Sequence, residues 1–133
     1  MSENLVGLNP QKIILTTGIY DLIKDYIRRR KVSKAEEEVL TLQLKNAEQV
    51  LRKDLPKNVV SIDTHVTVKN HDTGEEKVYV FVRPDKARRK NNTHSILSKP
   101  GLALVGCKEG DIINWVLDEA QSQIEVLNVK RLS

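Results

Sequence analysis

The sequence predicts an α+β protein: an N-terminal antiparallel helical hairpin, or short coiled coil, followed by a small antiparallel sheet domain carrying one short helix. Two segments repeat apolar residues at helical spacing on either side of a turn of about three residues, and so short a link makes neighbouring helices run antiparallel. Pro56 interrupts the helical pattern, because proline lacks the N–H and clashes with the preceding turn. Beyond it, apolar and polar residues alternate with the period of two that marks half-buried strands. The 133 residues, 39% apolar, suffice for one core with an appendage. The expected division is residues 1–56 for the hairpin and 57–133 for the sheet domain.

An apolar lead, Ile13, Ile14 and Leu15, stops at Thr16 and Thr17, either of which can cap a helix through its hydroxyl. Ile19, Leu22, Ile23, Tyr26 and Ile27 then step by threes and fours, placing one apolar stripe on a first helix. Arg28, Arg29, Arg30 and Lys31 close it, where positive charge meets the negative end of the helix dipole. Ser33 and Glu36 have the spacing of a capping box, hydroxyl to backbone amide and carboxylate reaching back. Leu40, Leu44, Ala47 and Leu51 extend that second helix. With about 14 and about 21 residues at 1.5 Å per residue, the hairpin should reach about 20–30 Å.

In the second half, Val60, Ile62, Thr64, Val66 and Val68 alternate with polar residues as a strand. Asp72, Thr73 and Gly74 supply its turn, and Lys77 to Arg83 returns as the partner strand. The polar stretch from Pro84 to Thr93 reads as an exposed loop, with sheet resuming near Ser95 to Leu97. Ser98 to Gly106 reads as one or two helical turns with Leu102, Leu104 and Val105 inward. Strands at Ile112 to Leu117 and Gln123 to Val129 complete the sheet, the last placing Ile124, Val126 and Leu127 against polar neighbours.

Several function classes recede on composition. No run approaches the roughly 18 apolar residues of a membrane span, and the N-terminus lacks the order of a signal peptide, so a cytoplasmic protein is expected. The lone Cys107 reads as a small buried residue rather than a disulfide or zinc ligand. His65, His71 and His94 lack metal-ligand spacing. Paired catalytic acids, a Ser and His arrangement and a phosphate-cradling glycine loop are all missing, so no enzyme, cofactor, metal or small-molecule substrate is expected. A net charge of +4 with both signs interspersed favours an anionic partner, protein or nucleic acid. Aromatics at 4% are too few for a stacking platform, which leaves nucleic acid a weak contact through the basic turn and the Lys86 to Lys90 loop.

Hairpin first and mixed sheet second is an order that resembles the Gre transcription factors, above all their short relative, the regulator of nucleoside diphosphate kinase. Val66, Thr67, Val68 followed by Asp72, Thr73, Gly74, Glu75, Glu76 looks like that family's first sheet hairpin. Ala103, Leu104, Val105, Gly106, three spacers, then Gly110 and Asp111 resembles its most recognisable motif. Asn114 with Trp115, and Val126 to Lys130, are similar to the strands that follow. Gly18, Leu22, Asn46, Ala47, Val50 and Pro56 echo the layout of the first half.

The resemblance implies a bacterial factor that binds RNA polymerase at its secondary channel. Gre factors bring carboxylates at the end of a long coiled coil to complete a magnesium site in the polymerase, which activates water against RNA. Here the nearest acids are Glu36, Glu37 and Glu38, the position three before Glu36 is Ser33, and Arg28, Arg29, Arg30 and Lys31 invert the sign of the tip. The expectation is binding without transcript cleavage; a true cleavage-stimulating factor and a nucleic-acid module remain alternatives. Ser98, Pro100, Gly101 and Leu102 match the loop that meets the channel rim. The sheet half also resembles FK506-binding prolyl isomerases in fold, although an isomerase site needs a cleft lined by several aromatics.

Overall fold

The computed structural model describes residues 13–114 and 123–132. Strand β1 (Ile14–Thr16) leads directly into helix α1 (Thr17–Arg28). Thr16 is the cap, its hydroxyl accepting the Ile19 N–H at 3.2 Å, an arrangement that stabilises a helix by about 1 kcal/mol. Helix α2 (Lys34–Lys45) begins on the full Ser33 and Glu36 capping box. Ile19, Ile23, Leu40 and Leu44 turn into a common core, as the spacing of threes and fours requires.

The second helix is shorter than its apolar spacing suggests. Asn46 closes it, and strand β2 (Glu48–Val50) pairs in parallel with β1, Ile14 opposite Glu48 and Thr16 opposite Val50. Backbone groups at Ile13 and Ile14 offer hydrogen bonds there, the Glu48 N–H reaching the Ile13 carbonyl at 2.8 Å, and this outweighs the helical spacing of Ala47 and Leu51. Leu51 is accordingly 57% exposed. Each helix is 12 residues long, about 18 Å at 1.5 Å per residue, short of the 20–30 Å expected from sequence.

A five-stranded sheet forms the second half, in the order β5-β4-β3-β7-β6. Its strands are β3 (Thr64–Asn70), β4 (Glu76–Val82), β5 (His94–Ser95), β6 (Ile112–Asn114) and β7 (Gln123–Arg131), with helix α3 (Lys99–Leu104) between β5 and β6. Strand β3 starts at Thr64 instead of Val60 because Asp63 takes a left-handed φ of 63°, which ends the extended run. From Thr64 to Val68 the alternation holds, with Thr64, Val66 and Val68 buried. The sheet is mixed rather than wholly antiparallel. After β4 the chain crosses the polar loop and returns to the same end, so β5 pairs with β4 in parallel, His94 opposite Phe81.

Strand β7 carries an irregularity that explains a misread frame. Thr67 faces Asn128 and Val68 faces Val126, so Leu127 is the extra residue of a β-bulge. The inward set becomes Ile124, Val126 and Val129, so Leu127, expected inward, is only half-buried and Val129 takes the place that strict alternation gives to Asn128. The glycine motif holds this bulge: the Glu109 carboxylate accepts the Val129 N–H at 2.8 Å, and the Gly110 N–H reaches the Val126 carbonyl at 2.8 Å. The expected extension of β6 to Leu117, including Trp115, falls outside the described residues.

One apolar cluster runs through both halves, from Ile13, Leu15 and Ile19 to Phe81, Ile96, Leu104 and Val126. Gly106 sits at the seam with φ +85°. Its carbonyl accepts the Ile14 N–H at 3.1 Å and its N–H donates to the Val60 carbonyl at 2.9 Å. A Cβ there would meet the Ile13 Cβ at 2.8 Å, so only glycine lets these backbones approach. Cys107 beside it is buried.

Candidate functional site

At the turn between α1 and α2 the chain uses a specific helix ending. The Arg30 N–H reaches the Ile27 carbonyl at 2.9 Å and the Lys31 N–H reaches the Tyr26 carbonyl at 3.3 Å, the paired bonds of a Schellman motif. The left-handed position of that motif, usually glycine, is occupied by Arg30 at φ 56°. Holding a side chain there costs about 1 kcal/mol. The basic run marked where the helix ends, but no glycine in the local sequence marks the left-handed position.

The four cations of this turn are not equivalent. Arg28 and Arg29 both bind the Asp25 carboxylate, at 2.7 and 3.0 Å. The Arg28 hydrogen bond, with the charge of both guanidiniums, holds the Asp25 carboxyl below its usual range. Arg30 and Lys31 are exposed and carry no ion pair among the described residues. On the other side of the turn, Glu36 is engaged: its carboxylate accepts the Ser33 N–H at 2.9 Å while the Ser33 hydroxyl accepts the Glu36 N–H at 3.1 Å. Glu37 and Glu38 are exposed, and Glu37 lies in the first turn of α2, where the helix dipole favours negative charge. Among the described residues no three His, Cys, Asp or Glu side chains converge as metal ligands would.

The second candidate surface begins at Ser98, the cap of α3. Its hydroxyl accepts the Gly101 N–H at 3.2 Å and donates to the Ser95 carbonyl at 2.6 Å. Pro100 occupies the helix's first turn, where a missing N–H costs nothing. Gly101 and Leu102 are buried. A Cβ on Gly101 would lie 2.3 Å from the Ile96 carbonyl oxygen, so this glycine is fixed by close packing. Only Ser98, Lys99 and Pro100 of the segment reach the surface; Gly101 and Leu102 hold it in place.

The loop between β4 and β5 largely satisfies its own charges. Arg83 binds Asp85 through two nitrogens, at 3.2 and 2.8 Å, which raises the guanidinium's pKa and lowers the carboxyl's. Arg88 turns back onto the carbonyls of Asp85 and Ala87. Lys86, Arg89 and Lys90 remain exposed. Two of the histidines have structural settings: His71 pairs with Glu125 at 2.8 Å, and His94 packs edge-on against the rings of Tyr79 and Phe81. Burial, with Lys77 nearby, pushes the His94 pKa below its ordinary value.

A charged helical pair joined through one core to a five-stranded mixed sheet, with a glycine motif holding a bulge, makes the chain a small two-part α+β protein. Residues 55–131 match the sequence model described as "Transcription elongation factor, GreA/GreB, C-term", and the chain belongs to this family. A transcription elongation factor GreA of Clostridium botulinum strain Hall is 40% identical over 88 residues, covering 66% of this chain and 55% of the relative. Another, from strain Eklund 17B, is 38% identical over 98 residues, covering 72% and 61%. The chain thus spans little more than half the length of these curated relatives. Among solved structures, a prokaryotic transcription elongation factor GreA/GreB from Nitrosomonas europaea aligns over 90% of this chain and 98% of that one, with a TM-score of 0.64 and 24% identity, a likeness of fold.

Proposed function

We propose that this chain binds RNA polymerase at its secondary channel and modulates transcription without completing a hydrolytic metal site. The helical pair acts as a short projecting hairpin, and the surface at Ser98, Lys99 and Pro100 meets the channel rim. One observation carries the reading: two helices of 12 residues each end in a turn that displays Arg30 and Lys31 outward, while Glu36 is held in a capping box. Finishing a magnesium site needs reach as well as free acids at the tip; two 12-residue helices argue against the reach, and the acids left free, Glu37 and Glu38, stand beside the exposed cations Arg30 and Lys31. On this reading the chain is a cytoplasmic binding factor rather than an enzyme, nearest in build to the short regulator of nucleoside diphosphate kinase branch. An isomerase activity is disfavoured by Tyr79 and Phe81, which are buried and stack on each other at 5.5 Å instead of lining a cleft.

Pull-down of RNA polymerase followed by transcript cleavage in stalled complexes tests it. Binding without cleavage is expected; absence of binding, or stimulated cleavage, overturns it. Reversing Arg29 and Arg30 to glutamate should weaken binding and flatten its salt dependence. A second reading, nucleic-acid binding through the turn and the Lys86 to Lys90 loop, is favoured by the exposed Lys86, Arg89 and Lys90. It requires an affinity for RNA that falls steeply with salt when polymerase is absent.

A further inference from the structure

We infer that the helical pair carries a docking groove for an acidic amphipathic helix of another protein, a site distinct from the basic turn. Where the two helices pack on each other they bury the stripe along which they meet and leave flanking apolar positions half covered. On one side this opens a depression of about 400 Å3 between α1 and α2. Tyr20, Ile27 and Leu44 line it together with Thr41 and the cations Lys24, Arg28 and Lys45. No carboxylate lines it. An apolar trough between two helices is the seat that a third helix fills when a pair becomes a three-helix bundle.

Charge selects the occupant. Three cations flank the groove, and only Arg28 has its charge shared locally, with Asp25 at 2.7 Å. The Lys24 ammonium lies 5.8 Å from the Tyr20 ring centroid, so a cation and an apolar ring are offered together. A second copy docking through the same groove would bring the same three cations against these and be repelled. A polyanion such as RNA would satisfy the cations but leave Tyr20, Ile27 and Leu44 unused. A helix with leucine-like residues on one face and glutamates beside them satisfies both. Its acids are steered to the α1 side, because the next depression across α2 is lined by Glu37 and Glu38 as well as Leu42.

The inference does not depend on binding to RNA polymerase and is tested without it. Full-length chain is titrated, by fluorescence anisotropy, into labelled helical peptides of about 18 residues, one with leucine and glutamate faces and one with leucine and lysine faces, and into polyglutamate of matching charge. Saturable binding of the leucine and glutamate peptide alone is expected. The double variant Lys24→Glu with Lys45→Glu changes only exposed side chains and should keep the parent's melting temperature. It should lose about tenfold in affinity for that peptide and gain affinity for the leucine and lysine peptide. Ile27→Ser should weaken the leucine and glutamate peptide without creating that new preference. Equal binding of both peptides, equal binding of polyglutamate, an unchanged double variant, or a groove occupied by a second copy in sedimentation experiments would each overturn the inference.

Discussion

The base of the helical pair and its tip are built on opposite plans. At the base, backbone bonds link residues far apart in sequence: Ile14 to Gly106, Glu48 to Ile13, Gly106 to Val60 and Val60 to Cys107. At the tip the bonds among the described residues are local, from the Schellman pair at Arg30 and Lys31 to the capping box at Ser33 and Glu36. Shape is thus secured where the chain is buried, and charge is displayed where few tertiary contacts depend on it. Such a division lets a binding surface change without endangering the fold.

Substitutions can break or sharpen that contrast. The largest effect is expected at the base and its supporting loop. Gly101→Ala drives a methyl group into the Ile96 carbonyl and should cost about 3 kcal/mol in chemical denaturation. Gly106→Ala, strained at φ +85° and crowded by Ile13, should cost about 2–3 kcal/mol. If either were neutral, the base would not be the rigid partner described. At the tip, Ser33→Ala removes the cap of α2 and should cost only about 1 kcal/mol, with the thermal transition lowered but still cooperative. Arg30→Gly should run the other way, raising stability by up to about 1 kcal/mol as the left-handed strain is relieved, while weakening polymerase binding. A loss of stability there would show that the Arg30 side chain holds the turn rather than facing a partner.

The smallest effects concern pH and separate the same regions. His94 in the sheet is held below its ordinary imidazole value of about 6.5. The unfolded chain therefore takes up its proton first, so this contribution is complete above pH 6.5 and lost as pH falls through the folded value. Asp25 at the tip is held below the usual carboxylate value, so its contribution is complete above about pH 3.8 and lost only at more acid pH. Denaturant midpoints between pH 7 and 5 should decline modestly in the parent and less in His94→Gln, whereas Asp25→Asn should leave that slope unchanged.

Legibility in the sequence follows how local each interaction is. The capping box at Ser33, the cap at Thr16, the Asp72 to Gly74 turn and the alternation from Thr64 to Val68 are set by residues a few positions apart, and each lies where the pattern put it. The β1 and β2 pair was hidden because Glu48, Gln49 and Val50 continue a helical spacing, and only the distant Ile13 and Ile14 backbone draws them out of it. The bulge at Leu127 was hidden likewise, since its cause is the Glu109 carboxylate rather than any neighbour in β7. Of the candidate site, the charges of the turn were readable, but the pairing of Arg28 and Arg29 with Asp25 and the left-handed Arg30 are three-dimensional facts. Burial of Leu102 was readable from its spacing, whereas that of Gly101 needed the packing of α3 on Ile96.

The parallel pairing of β1 with β2 carries a consequence for how this protein can diversify. Because Ile14 to Thr16 and Glu48 to Val50 are clasped side by side, the chain leaves and re-enters the base through one fixed gate. Whole helical turns could be added to or removed from the arm between those points while the gate, the sheet and the glycine seam stay as they are. Arm length is then an adjustable dimension of the architecture, independent of the machinery that anchors it.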